Sequence, residues 1–159
     1  MTANWFESRI RYVKAGEEGK EKKIVEAYLL DAMSYTEAEG RMVMVLESMG
    51  QTAYEITSLK KSNITEVVES TDGNDDKWFK AKVAIIDADQ ISGKEKSSYQ
   101  YFLIAAADIE RALENLKKSL STYIVPYEII LLSDTSFVDV LPYFPVENEQ
   151  MLPEPQVSV

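Results

Sequence analysis

Trp5–Ile10, with the sequence Trp-Phe-Glu-Ser-Arg-Ile, is matched in the second half of the chain by Trp78–Val83, with the sequence Trp-Phe-Lys-Ala-Lys-Val. In both stretches the charged residues lie on one side of an extended chain and large apolar residues lie on the other, which is the period-two pattern of a strand with one buried face. Phe6 and Ile10 would point to the buried side of the first of these strands. The pair therefore predicts one type of half-buried strand that the chain uses twice.

Further matches extend outward from this pair in unbroken order and at a near-constant spacing. They are Gly19–Lys22 with Gly93–Lys96, Tyr28–Leu30 with Phe102–Ile104, Ala38 with Ala112, Tyr54–Ile56 with Tyr127–Ile129, and Val67 with Val140. Because collinear matches at a near-constant spacing indicate an internal repeat, the sequence predicts that residues 5–68 are duplicated as residues 78–141.

Each repeat contains the same series of predicted elements. The first strand is followed by a polar, Gly-containing loop and a second strand, which predicts a hairpin. A helix then begins, at the capping box Ser34–Glu37 in the first repeat and at the N-cap Asp108 in the second. Two further β-type runs close each repeat, residues 54–59 and 64–68 in the first and residues 123–132 and 137–141 in the second. The predicted fold class is α+β, a duplicated ββαββ unit with antiparallel sheets, one helix packed on each, and pseudo-twofold symmetry.

The first helix has two interpretations. Residues at helical spacing predict a core-facing stripe; they are Tyr35, Ala38, Met42, Val45, Leu46 and Met49. The alternative is an adaptable binding face, because thioether side chains repack easily against varied partners; its members would be Met33, Met42, Met44 and Met49. Core packing is the preferred interpretation, although Met44 lies off the stripe.

The repeats are joined by the turn-rich, acidic linker of residues 70–77. Such a short linker forces the repeats together, so we expect residues 1–143 to form a single compact domain. The remaining residues, 144–159, are polar and Pro-rich and are expected to form a C-terminal tail.

The composition excludes several kinds of site. The 159 residues include no cysteine and no histidine, so disulfides, thiolate nucleophiles, histidine bases and the usual zinc ligands are absent. We therefore expect a non-enzymatic protein with no catalytic residues, no cofactor and no metal. No apolar run reaches the roughly 18 residues of a transmembrane helix, and the first residues do not resemble a signal peptide. A cytoplasmic protein without a membrane association is expected.

The outward face of the first strand in each repeat is the best candidate for a binding site. It places an indole beside cations at alternate positions, which could stack a base and hold a phosphate of single-stranded nucleic acid. The six residues are Trp5, Arg9, Arg11, Trp78, Lys80 and Lys82. The alternative is a solvated strand face whose charges discourage edge pairing. The chain's net charge of −10 favours that alternative, because nucleic-acid affinity comes mainly from cations.

Two groups of aspartates are candidate ligands: Asp72, Asp75 and Asp76 in the linker, and Asp87 and Asp89 in the second hairpin. The second group resembles the start of a calcium loop, but Ile91 and Ser98 occupy the positions of later ligands. Solvated turn residues are the better interpretation for both groups.

Several structural motifs together resemble a bacterial and bacteriophage family, domain of unknown function 4494, over roughly residues 4–143. They are Asn4–Glu7, Glu21–Lys23, Tyr28–Ala32, Ser34–Glu39, Trp78–Lys80 and Asp139–Tyr143. The resemblance implies no activity and no catalytic residue. It does imply a role in phage or mobile-element biology.

Three functions follow as hypotheses. The preferred one is a binding or adaptor protein that acts through contacts with an unidentified protein partner, and the acidic composition favours basic partners. A homo-oligomer is compatible with it. The alternative is a single-stranded nucleic-acid binding protein that uses the two Trp-led strand faces. A weaker alternative is a carboxylate-dependent enzyme with magnesium.

Overall fold

The structure is a computed structural model that describes residues 4–50 and 53–141. This part of the chain forms eight strands and two helices. Their bounds are β1 Asn4–Ala15, β2 Glu21–Ala32, α1 Tyr35–Ser48, β3 Tyr54–Lys61, β4 Glu66–Val68, β5 Lys77–Ala88, β6 Glu95–Ala106, α2 Ile109–Leu120, β7 Tyr127–Asp134 and β8 Phe137–Leu141. The α+β class and the repeated order ββαββ are confirmed.

The strands form two four-stranded sheets. The first has the order β3-β1-β2-β8 and the second the order β4-β6-β5-β7. Each sheet thus takes three strands from one repeat and its last strand from the other. The expectation of antiparallel sheets holds for β1 with β3 and for β5 with β6 and β7, but β4 pairs in parallel with β6. Sequence periodicity shows that a segment is a strand, but it does not identify the pairing partner.

The described residues divide into two compact units, one of residues 4–24, 28–50, 53–61 and 140–141 and the other of residues 25–27 and 62–139. In the first unit, the inward face of β1 and β2 packs against α1. Fully buried side chains form this core; they are Phe6, Ile10, Leu30, Ala38, Met42 and Leu46, with Tyr28 2% exposed. The expected single domain of residues 1–143 stays a prediction.

The helix α1 begins at the predicted capping box. The hydroxyl of Ser34 accepts a hydrogen bond from the Glu37 amide at 3.1 Å, and Glu37 Oε1 accepts one from the Met33 amide at 2.6 Å. These bonds satisfy amides that a helix start otherwise leaves without partners.

The second unit has an equivalent core. Its buried residues lie on β5, β6 and α2; they include Val83, Phe102, Ile104, Leu116 and Leu120. Asp108 caps α2, as predicted, by accepting a hydrogen bond from the Arg111 amide at 2.8 Å. When the repeats are aligned, Ala112, Leu116 and Leu120 occupy the positions equivalent to Ala38, Met42 and Leu46.

The repeats also share a backbone irregularity. The pairing of β1 with β3 shifts register between Arg9 and Ile10, and the pairing of β5 with β7 shifts between Lys82 and Val83. These positions are equivalent in the alignment of Trp5–Ile10 with Trp78–Val83. A β-bulge at equivalent positions supports duplication independently of side-chain identity.

Three details of the sequence prediction are wrong. Met49, predicted on the core stripe, is 50% exposed, because α1 ends at Ser48 and Met49 is its C-cap. Tyr35 is 51% exposed, and its ring packs against that of Phe6 in a T-shaped arrangement with 5.0 Å between the ring centroids. The strand predicted from Tyr123 begins at Tyr127.

The prediction for the tail, residues 144–159, lies outside the described residues. In the described ranges, every helix is too short or too polar to span a membrane.

The hydroxyl of Ser8 provides a test of the first core. Ser8 is fully buried between Phe6 and Ile10, and its Oγ has no hydrogen-bond partner among the described atoms. The equivalent residue of the second core is Ala81, which is also fully buried. A buried hydroxyl without a partner costs stability relative to an apolar atom.

We predict that Ser8→Ala raises the free energy of unfolding by about 1 kcal/mol or more, because it removes an unsatisfied buried hydroxyl. The reverse change in the second core, Ala81→Ser, should lower it by about 1–3 kcal/mol for the same reason. Urea unfolding measures both changes. A destabilised Ser8→Ala protein would show that the hydroxyl has a stabilising partner.

Candidate binding surfaces

The six predicted site residues lie on the outward strand faces, but in two different sheets. Trp5, Arg9 and Arg11 belong to β1 of the first sheet; Trp78, Lys80 and Lys82 belong to β5 of the second. Both faces lie opposite the core side chains, as the alternation predicts. Each group is therefore described within its own sheet.

On the first sheet, Arg11 is paired with a carboxylate. The Arg11 guanidinium forms an ion pair with Glu55, the residue opposite it on β3, and both side chains are exposed. Arg9 is exposed and Trp5 is half-buried. An exposed ion pair contributes little to stability, roughly 0–1 kcal/mol, but it neutralises one of the two charges that a phosphate would need.

On the second sheet, both lysines lie over tyrosine rings. Lys82 Nζ is 4.3 Å from the centroid of the Tyr99 ring, and Lys80 Nζ is 5.4 Å from that of Tyr101. Lys80 also donates a hydrogen bond to Asn63 Oδ1 at 2.8 Å. Each cation–π contact is worth about 0.5–1 kcal/mol at an exposed site.

The strand register explains these contacts. Lys82 lies directly opposite Tyr101 on β6, and Lys80 lies opposite Leu103, so each lysine reaches the tyrosine on the diagonal. On the other side of β5, Leu131 of β7 is the direct partner of Lys82. Residues that are directly opposite in a sheet point to the same face. The term lysine–tyrosine surface is used below for Lys80, Lys82, Tyr99, Tyr101 and Leu131.

This surface is open at one end. Tyr99 is 52% exposed and Leu131 is 54% exposed, whereas Leu103, on the same face, is fully buried. Trp78 is half-buried, and its strand partner Ala105 is 4% exposed. The accessible part of the surface therefore surrounds Lys82, and Trp78 lies towards the buried part.

The sequence analysis did not identify the tyrosines or Leu131. Tyr99 and Tyr101 are two residues apart on β6, so the period-two pattern of a strand predicts that they share a face. Their position beside the lysines depends on the register of β5 with β6, which side-chain patterns in one strand do not define.

A second candidate is a cleft of about 320 Å³ in the second unit. It lies between residues 68–72 and helix α2, and its charged lining residues are Glu69, Asp72, Arg111 and Lys118. The Arg111 guanidinium pairs with Glu114 at 2.8 Å and with Asp75 at 3.3 Å. Because these acidic partners already occupy Arg111, it is not available as an anion-binding cation.

Asp75 is the centre of this network and corrects the prediction of a solvated turn residue. Its side chain is 1% exposed. The carboxylate accepts hydrogen bonds from Ser70 Oγ at 2.5 Å, from the Ala107 amide at 3.0 Å, and from Arg111 and Asn115. The bond from Ser70, followed by those from Arg111 and Asn115, holds the pKa of Asp75 below its ordinary value of 3.8, against the effect of burial.

Comparison of the repeats shows what this carboxylate does. In the first repeat, Glu37 accepts the hydrogen bond from the Met33 amide just before α1. The equivalent positions are Arg111 and Ala107, and there Asp75 of the linker accepts the amide bond in place of the missing glutamate. The network therefore attaches the linker to α2. Its role is structural.

Asp87 also departs from the prediction, because it lies within strand β5 and pairs with Lys96 of β6. Asp89 and Asp72 are turn residues, as predicted. Asp89 Oδ1 accepts a hydrogen bond from the Ile91 amide at 2.9 Å, which lowers the pKa of Asp89. Asp72 Oδ1 accepts one from the Asn74 amide at 2.9 Å. Within the described ranges, no three carboxylates are grouped closely enough to hold a metal ion. The magnesium enzyme therefore has no supporting site in this part of the chain.

We predict that Asp75→Asn lowers the stability of the protein at pH 7 and makes its stability less dependent on pH. The folded-state pKa of Asp75 is depressed, so its contribution is present above the ordinary value and is lost as pH falls through the folded-state pKa. The difference between wild type and variant, measured by urea unfolding, should be largest at pH 7 and narrow below about pH 4. The exposed neighbour Asp76→Asn is the control; an equal effect there would contradict the prediction.

Comparison with known protein families identifies a match over most of the chain. A family model described as a domain of unknown function, DUF4494, matches residues 4–143. No curated protein matches the chain. The matched residues include both repeats and all the elements described above, so the chain belongs to the DUF4494 family.

Proposed function

We propose that the protein is a non-enzymatic binding or adaptor protein that acts through protein–protein contacts. The observation that carries this proposal is the lysine–tyrosine surface, where Tyr99 and Leu131 are about half exposed beside Lys82. Aromatic side chains are enriched in protein interfaces, and an amphipathic tyrosine offers a large contact area with little loss of conformational entropy.

The first repeat supports this interpretation because it lacks the surface. Val25, Ala27 and Ser58 occupy the positions equivalent to Tyr99, Tyr101 and Leu131. Since the first repeat forms the same elements with these smaller residues, folding alone does not require the aromatic and apolar residues of the second. Their presence is explained if they contact another molecule.

The chemistry of the surface indicates the kind of partner. Lys80 and Lys82 bring two positive charges to a strip of tyrosine rings in a chain whose net charge is −10. A protein surface with apolar groups beside carboxylates would complement this strip, whereas an extended acidic surface would be repelled by the rest of the molecule. The proposed setting is the cytoplasm, in phage or mobile-element biology, as the family resemblance implies.

Single-stranded nucleic acid is the second candidate, favoured by the same lysine–tyrosine contacts. A base could stack on the exposed Tyr99 ring while Lys82 contacts a phosphate. Net charge opposes this function, and acidic residues outnumber basic ones in the unit that carries the surface. Protein binding is therefore the preferred function.

We predict that the double variant Tyr99→Val and Leu131→Ser retains the fold but binds its partner at least about tenfold more weakly. A tyrosine anchor at the centre of an interface contributes about 2 kcal/mol or more, and Leu131 supplies apolar contact area beside it. Val and Ser are the equivalent residues of the first repeat. Quantitative pull-down from cell lysate, followed by titration of the captured protein, measures the effect. Ile91→Ser is the matched control, since Ile91 is 98% exposed in the loop between β5 and β6. Equal loss in both variants would contradict the assignment of the surface.

We predict that oligothymidylate causes no saturable quenching of tryptophan fluorescence at low salt, because the acidic chain repels the phosphate backbone. Trp78, at the buried end of the surface, is the reporter. Saturable quenching that weakens with added salt and disappears in the Lys80→Gln, Lys82→Gln variant would instead establish nucleic-acid binding.

A further inference from the structure

The outward face of helix α1 carries few charges. Its central residues are Gly40 and Met44, which lie opposite the buried residues Ala38, Met42 and Leu46. Met44 is 67% exposed, and Val43 beside it is half-buried. The term α1 stripe is used below for Gly40, Val43 and Met44.

The second repeat shows that this face does not need to be apolar. Glu114, Lys117 and Lys118 of α2 occupy the positions equivalent to Gly40, Val43 and Met44, and all three are exposed. Both helices bury the same three positions under equivalent sheets. A charged outward face, as on α2, is typical of a solvent-exposed helix. The α1 stripe differs from this pattern, and packing within the unit does not explain the difference.

Gly40 is the least expected member of the stripe. Glycine in a helix interior is less stable than alanine, because its unfolded chain is more flexible. A Cβ atom at this position would meet no atom within 4 Å. No close contact within the described part of the chain therefore requires a glycine here. A glycine on an exposed helix face does permit another backbone to approach closely.

Electrostatics indicate what could approach. Glu39 and Glu47 are exposed beside the stripe, and the last turn of α1 contains no basic residue, whereas that of α2 contains Lys117 and Lys118. The carboxyl end of a helix carries a partial negative charge that cations stabilise. The cation of this helix, Arg41, is half-buried, and its guanidinium donates a hydrogen bond to the Asp31 carbonyl. Around the α1 stripe, the exposed carboxylates and the helix end therefore favour positive charge from outside.

We propose that the α1 stripe is a docking surface for a basic amphipathic helix of a partner protein. The apolar side of that helix would cover Val43 and Met44, its backbone would cross near Gly40, and its Lys or Arg side chains would reach Glu39 and Glu47. The 14 residues of α1 extend about 21 Å, enough for a contact of about four helical turns. This surface extends the proposed protein-binding function but is independent of the lysine–tyrosine surface.

The test uses a fluorescein-labelled amphipathic peptide of leucine, alanine and lysine, with its leucines at helical spacing, titrated with the full chain. Gly40→Ala and Met44→Gln leave the net charge unchanged, so they do not alter the general attraction between a basic peptide and an acidic protein. Each should weaken binding at least tenfold. Gly40→Ala should also raise Tm, because alanine favours the helix; weaker binding by a more stable protein excludes partial unfolding as the cause.

Ile109→Gln on α2 is the matched control, because Ile109 is 48% exposed and this change also leaves the net charge unaltered. It should change binding less than twofold. Undiminished peptide binding by both α1 variants would overturn the proposal. A dimer in sedimentation velocity that Met44→Gln dissociates would also overturn it, because a second copy of this chain would then cover the stripe. A negative result here would not contradict the proposed function, because Tyr99 and Leu131 are unchanged in the α1 variants. The pull-down tests the lysine–tyrosine surface separately.

Discussion

Each sheet buries one face beneath a single helix, and this constraint determines which residues can vary. In the first unit Phe6 and Ile10 of β1 pack with Met42 of α1, and all three are fully buried. Complete burial of a side chain of this size contributes roughly 1.5–3 kcal/mol relative to an exposed position. The inward placement of Phe6 and Ile10 in β1 follows, because a slip of one residue would turn these apolar side chains to solvent. The outward helix face and the exposed part of the outward sheet face are less constrained, although Leu103 on the outward sheet face is fully buried.

The start of each helix has a further requirement, which the two repeats meet with different residues. An amide just before each helix needs an acceptor, and a carboxylate supplies it in both cases: Glu37 within α1, and Asp75 from the linker for α2. Arg111 replaces the glutamate and binds the aspartate instead. The fold therefore requires a carboxylate beside the amide that precedes the helix, but different residues can provide it.

Sequence patterns predicted the features that depend on neighbours along the chain. The alternation of β1 and β5, the N-caps Ser34 and Asp108, and the order of elements are all local, and the structure confirms them. Pairing between distant strands is not local, so the parallel pairing of β4 with β6 was not predicted. The burial of Asp75 and the contact between Lys82 and Tyr99 depend on the same long-range placement. The lysines of the candidate surface were therefore predicted from sequence, and its aromatic residues were not.

Duplication gives an internal control for separating residues that maintain the fold from residues that serve another purpose. The sequence analysis placed its candidate site on the strand that begins at Trp5 and Trp78 in the two repeats. The structure shows that the positions shared by the repeats are mostly those that build the two cores. Both candidate surfaces occur where the repeats differ at outward positions, Tyr99 against Val25 and Met44 against Lys118. After a duplication, each copy must keep its core, but only one needs to keep or acquire a given contact. Differences on the outward faces are therefore more informative about binding than identities between the repeats.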